Sequence, residues 1–129
     1  MKQIYSINES PINAGDLFLK LLHSGTNGHI LHLQTKSYSQ HKALETFYND
    51  IIEQTDSLIE AWQGVNGQIA QYPTVYELPN PNALTELTLL SDYFRANRAI
   101  VGSQTELQNI CDEIQQLIDS TIYKLTFLG

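Results

Sequence analysis

Residues 44–62, LETFYNDIIEQTDSLIEAW, place apolar side chains at Leu44, Phe47, Tyr48, Ile51, Leu58, Ile59 and Trp62, with Thr55 in the same register. The steps alternate between three and four residues for five turns, so all of these positions fall on one side of an α-helix. A strand would need alternation at every second residue, and the run shows none. This stretch predicts a helix over about 39–63, preceded by the turn Ser37-Tyr38-Ser39 and stopped by Gly64 and Gly67.

Working outward, the same periodicity recurs three times. A first helix, about 11–35, opens near Ser10-Pro11 or at Asn13 and runs through Leu17, Phe18, Leu21, Leu22, Ile30 and Leu31. Gly25 and Gly28 interrupt it, and either loosen it or mark close packing. A third helix, about 83–101, is capped by Asn82 and carries Leu84, Leu87, Leu90, Tyr93, Phe94 and Ile100, with Gly102 closing it. A fourth, about 103–127, opens on Ser103 and Glu106, spaced as a capping box. It carries Leu107, Ile110, Cys111, Ile114, Leu117, Ile118, Ile122 and Leu125. The segment 64–82 reads as a linker longer than a plain hairpin needs. The expected fold is therefore a single all-α domain over 1–129, an antiparallel four-helix bundle with a longer crossover between helices 2 and 3.

Composition bounds the function. Of the 129 residues, 42% are hydrophobic and 16% charged, the balance of a globular domain. Seven basic against fourteen acidic residues give a net charge of −7. That balance disfavours direct DNA binding, which needs clustered Lys and Arg, and Met1–Ser10 supplies no basic arm. One cysteine, Cys111, sits in an apolar helical pattern and fits a reducing, cytoplasmic setting. No run approaches the roughly 18–20 apolar residues of a membrane span, and no signal-peptide pattern is present.

The polar residues of the second helix form a second stripe. With His41 at zero on the helical wheel, Glu45 falls near 40°, Asp56 near 60° and Glu60 near 100°, flanking the apolar stripe. Imidazole nitrogen with carboxylate oxygen suits iron, manganese or zinc. His41 and Glu60, however, lie about 28 Å apart along the helix at 1.5 Å per residue. No single ion reaches both ends, so the row can act as a whole only between two antiparallel copies of the helix. His41 and Glu45 of one chain then face Asp56 and Glu60 of the other, giving two equal sites per dimer. The same pattern also arises on an ordinary solvated helix flank.

The stretch His32-Leu-Gln-Thr-Lys-Ser-Tyr-Ser-Gln-His41-Lys-Ala-Leu-Glu45, continuing to Asp56-Ser-Leu-Ile-Glu60, resembles the Dps-like miniferritins of the ferritin-like superfamily. Members carry a His near the end of the first helix. Their second helix carries His-x3-acid and, eleven residues on, Asp-x3-Glu. The resemblance is good over 29–62 and extends elsewhere only by pattern; the segment also looks like short bacteriophage proteins. It implies that His32, His41, Glu45, Asp56 and Glu60 are metal ligands at a site shared between subunits. It further implies a homodimer or larger oligomer, iron as the ion, and Fe(II) oxidation by peroxide or oxygen. Departures are Leu33 where Trp is usual, Glu45 where Asp is usual, a shorter connection between His32 and His41, and a linker with no short helix. His29, three residues before His32, is a secondary candidate ligand, and His23 reads as a surface residue. The alternative function is a non-enzymatic acidic helical protein that binds a host protein or mimics DNA.

Overall fold

The structure, a computed structural model, describes residues 12–129, so Ser10, Pro11 and the first ten residues lie outside it. The described chain forms α1 (Ala14–Gln34), α2 (Tyr38–Asn66), α3 (Ala83–Asn97) and α4 (Thr105–Phe127), with a 3-10 turn at Arg98–Val101. No strand occurs among the described residues.

Local chemistry sets most of these ends. Asn13, the second of the two possible starts, caps α1 through a closed capping box. The Asp16 amide donates to Asn13 Oδ1 at 3.0 Å, and the Asn13 amide donates to Asp16 Oδ2 at 2.8 Å. Ser37 Oγ accepts from the Gln40 amide at the start of α2, and Asn82 Oδ1 accepts from the Thr85 amide at the start of α3. Gly64 does not end α2. The helix continues to Gly67, whose left-handed conformation (φ 62°) turns the chain at no steric cost.

Two expectations fail at the α3–α4 corner. The α-helix ends at Asn97 rather than near 101, and Ser103 and Glu106 form no capping box; the cap position is Gln104, with no side-chain hydrogen bond. A different network secures this corner. Arg98 donates from Nε to Gln108 Oε1 and from a terminal nitrogen to the Gln108 carbonyl and to Asp112. Gln108 Nε2 donates back to the Arg98 and Gly102 carbonyls. These bonds tighten the end of α3 into a 3-10 turn. They also satisfy carbonyls that a helix terminus leaves open.

Each helix packs against two others, in the cyclic order α1, α2, α4, α3. Gly28 meets Phe47, Gly25 meets Ile52, and Phe18 meets Trp62 edge-on at 5.4 Å, so α1 and α2 are antiparallel. Ser91 bonds Asp119 while Arg98 bonds Asp112, which makes α3 and α4 antiparallel too. Tyr38 and Lys42 at the start of α2 line one cleft with Lys124 and Leu128 at the end of α4. It follows that α3 runs antiparallel to α1. Every neighbour pair is antiparallel because the 68–82 crossover travels along the bundle. It starts over Gly15, where the Gln71 carbonyl rests on the glycine, and reaches Asn27, which donates to the Glu77 carbonyl and accepts from the Tyr76 hydroxyl. That span is about 18 Å of helix. The core is one cluster drawn from all four helices, with Phe18, Phe47 and Phe94 as its largest fully buried side chains.

Candidate metal centre

The α1–α2 connection is only three residues, Thr35 to Ser37, and it is internally bonded. The Ser37 amide donates to Thr35 Oγ1 at 3.1 Å, and Thr35 Oγ1 donates to Gln40 Oε1 at 2.8 Å. So short a corner brings the last turn of α1 against the first turn of α2. His32 and His41 meet there, their rings stacked with centroids 3.6 Å apart and planes 19° from parallel.

Each imidazole is held by the other residue's backbone. His32 Nδ1 lies 2.7 Å from the His41 carbonyl, and His41 Nδ1 lies 2.8 Å from the His32 carbonyl. A carbonyl oxygen can only accept, so both Nδ1 atoms must carry the hydrogen. In the neutral rings the lone pair is therefore on Nε2 in both residues, and neither Nε2 is consumed by these bonds. The His32 carbonyl is one of the four that the end of α1 leaves without a helical partner, so the lock also caps α1. His32 is 7% exposed, which makes a partnered Nδ1 an energetic requirement rather than a convenience.

Glu45 completes the cluster. One donor atom from each of His32, His41 and Glu45 lies within 4.8 Å of the others, the one such group among the described residues. Two donors on opposite sides of an ion, each at about 2.2 Å, sit about 4.4 Å apart, so a small side-chain movement closes the set. Two imidazoles and a carboxylate suit Fe(II), Mn(II) or Zn(II), with coordination positions left over. Glu45 already has a partner on its own helix. Lys42 Nζ donates to its Oε1 at 3.1 Å. That bond, then the Lys42 charge, and then the nearby His32 and His41 hold the Glu45 carboxyl below its ordinary range. Lys42 is raised in turn, chiefly by the same hydrogen bond.

The other predicted ligands lie elsewhere. Asp56 and Glu60 are exposed on α2, and Asp56 is about 16 Å along the helix from Glu45. The structure thus gathers three of the five predicted ligands within one chain and leaves two on the open face. His29 is not in the cluster; its ring stacks on Tyr48 at 4.2 Å and stands 5.8 Å from that of His32. His23 is half-buried rather than fully exposed, with its ring edge-on to Tyr76 at 4.8 Å on the crossover. Sequence reasoning missed two residues here. Tyr48, read as plain core, walls the site edge-on to His32 at 5.2 Å. Lys42 is the other, and its i,i+3 spacing to Glu45 is the readable signal.

Residues 32–125 match a family described as Family of unknown function (DUF5856). The chain belongs to that family. The DUF5856 region includes all of α2, α3 and the crossover, and it begins at His32, so each of the five predicted ligands lies inside it. No curated protein and no solved structure matches the chain. Among the described residues no helix is long and apolar enough to cross a membrane.

Proposed function

We propose that this protein binds ferrous iron as a substrate at the His32–His41–Glu45 cluster and promotes its oxidation, in the manner of a Dps-like miniferritin. The observation that carries the reading is the reciprocal histidine lock, which directs both Nδ1 atoms into backbone carbonyls and keeps both Nε2 lone pairs for a ligand. In metal-binding histidines a hydrogen bond from the second ring nitrogen commonly fixes tautomer and orientation. Here that orientation exists before any ion arrives.

The roles divide by donor type. His32 and His41 hold entering Fe(II), while Glu45 supplies the charge and hard oxygen that favour Fe(III). Two Fe(II) supply the two electrons that break the O–O bond of one peroxide, and two protons complete two waters. Three donors from one chain leave room for more. Asp56 and Glu60 of a second copy, packed antiparallel along α2, are the proposed additional ligands. Leu33 and Tyr38 are 70% and 76% exposed, an apolar content that suits burial against that copy.

The test is elemental analysis of untagged protein, with Fe(II) oxidation by peroxide measured for wild type, His41→Ala and Glu60→Ala. Both variants lose activity if the site is shared. An equal mixture recovers about a quarter of the wild-type rate, because half the dimers are mixed and each holds one intact site. A Glu60→Ala protein that binds and oxidises iron normally reduces the centre to the three-residue set of one chain. Absence of bound metal and of oxidation above the buffer rate overturns the proposal.

A further inference from the structure

Glu45 is the only carboxylate in the cluster, and in this structure a cation from its own helix already holds it. We propose that Lys42 is an affinity- and specificity-setting residue of the metal centre: its ammonium competes with divalent cations for Glu45, and an ion must displace it to bind. This inference rests on the metal-binding reading of the same cluster.

The geometry supports displacement rather than a permanent block. Lys42 Nζ and Glu45 Oε1 are 3.1 Å apart, one turn of α2 separates the residues, and the side chains are 53% and 38% exposed. An exposed pair of this kind is weak and screened, so an arriving dication can break it, and the flexible lysine stem can swing its charge into water. The competition nevertheless shifts the balance. With Lys42 in place, Glu45's negative charge is already matched by the lysine. A dication then gains little from Glu45 until the lysine leaves. Monovalent ions and weakly bound dications are turned away first. An ion that draws on both imidazoles still gets in, which favours transition metals over Mg(II) and Ca(II).

The experiment is calorimetric titration of Zn(II), a redox-inert probe, and of Mg(II), into wild type, Lys42→Gln and Lys42→Arg. Circular dichroism confirms that each variant is folded. In Lys42→Gln, Zn(II) binds about two- to five-fold more tightly at low ionic strength, and the gain shrinks toward zero near 0.5 M salt as the pair is screened. Mg(II) binding becomes measurable or strengthens by a larger factor than Zn(II), and Lys42→Arg behaves as wild type or binds more weakly. If wild type and Lys42→Gln bind Zn(II) equally at low salt, the lysine is not a competitor; the inference fails and the metal reading stands. If neither binds Zn(II) while both are folded, the metal reading fails and takes the inference with it.

Discussion

Gly25 and Gly28 sit one turn apart on α1, both against α2, yet replacing each with alanine is expected to affect stability differently. Both substitutions gain about 1 kcal/mol from the better helix former. The difference is what the new methyl meets. At Gly25 it approaches Ile52 Cδ1 at 2.5 Å and Cγ1 at 2.9 Å, the far end of a side chain that is already 43% exposed. Ile52 can rotate toward solvent at small cost, so Gly25→Ala should be neutral or up to about 1 kcal/mol more stable. At Gly28 the methyl meets Phe47 Cδ2 at 2.9 Å and Cε2 at 3.2 Å, with Tyr48 Cβ at 3.5 Å. Phe47 is 1% exposed and packed in the core cluster, so its ring has nowhere to go. Overpacking of this kind costs about 1–3 kcal/mol, which cancels or outweighs the helix gain. The two variants should therefore differ by about 1–3 kcal/mol, with Gly28→Ala the less stable. Urea unfolding followed by circular dichroism measures this, and for a chain of this size each kcal/mol corresponds to about 4 °C in Tm. A Gly28→Ala protein as stable as Gly25→Ala would refute the claim that α1 and α2 approach each other through that glycine.

Two further outcomes follow from other parts of the fold. Burial, the largest influence, pushes the Cys111 thiol up to about 11, with Arg98 opposing and Asp112 adding to the shift. The native state therefore favours the protonated thiol; this contribution is present below the unfolded pKa near 9 and is lost as pH rises through about 11. At pH 8 alkylation of Cys111 should track global unfolding, and rapid labelling of native protein would contradict this. Arg98→Ala removes charge-assisted bonds to Gln108 and Asp112 at the α3–α4 corner and should cost about 2 kcal/mol in urea unfolding. A loss below about 0.5 kcal/mol, the size of an ordinary surface change, would show that the clamp is incidental.

The helices were legible because each buries a stripe whose period is fixed by the α-helix itself. Leu44, Phe47, Ile51 and Leu58 are all buried, as their spacing requires. Asn82 was legible as a cap because its role depends only on the next three residues. The Ser103–Glu106 pair had the same local form and did not cap. The Arg98–Gln108 clamp holds that corner instead, and nothing in residues 103–106 announces it. Gly25 and Gly28 left two readings open, and only the position of α2 chose close packing. The site was half legible for a related reason. Helical spacing placed His41 and Glu45 on one face and Asp56 too far along it. The lock between His32 and His41 depends on where backbone carbonyls point after a three-residue corner, and that is a property of the folded chain.

The crossover has a consequence for how this chain can change. Because it runs along α1 before α3 begins, the molecule divides into two hairpins joined by a strap. All three clustered donors belong to the first hairpin, while the Arg98 clamp and the Ser91–Gln115–Asp119 network belong to the second. The second hairpin can therefore exchange its polar fastenings, lengthen its corner or drift in surface charge without moving a ligand, provided that it keeps covering the apolar face of α2. Cutting the strap near Thr74 should yield two pieces that reassociate, with the three clustered donors carried by one of them.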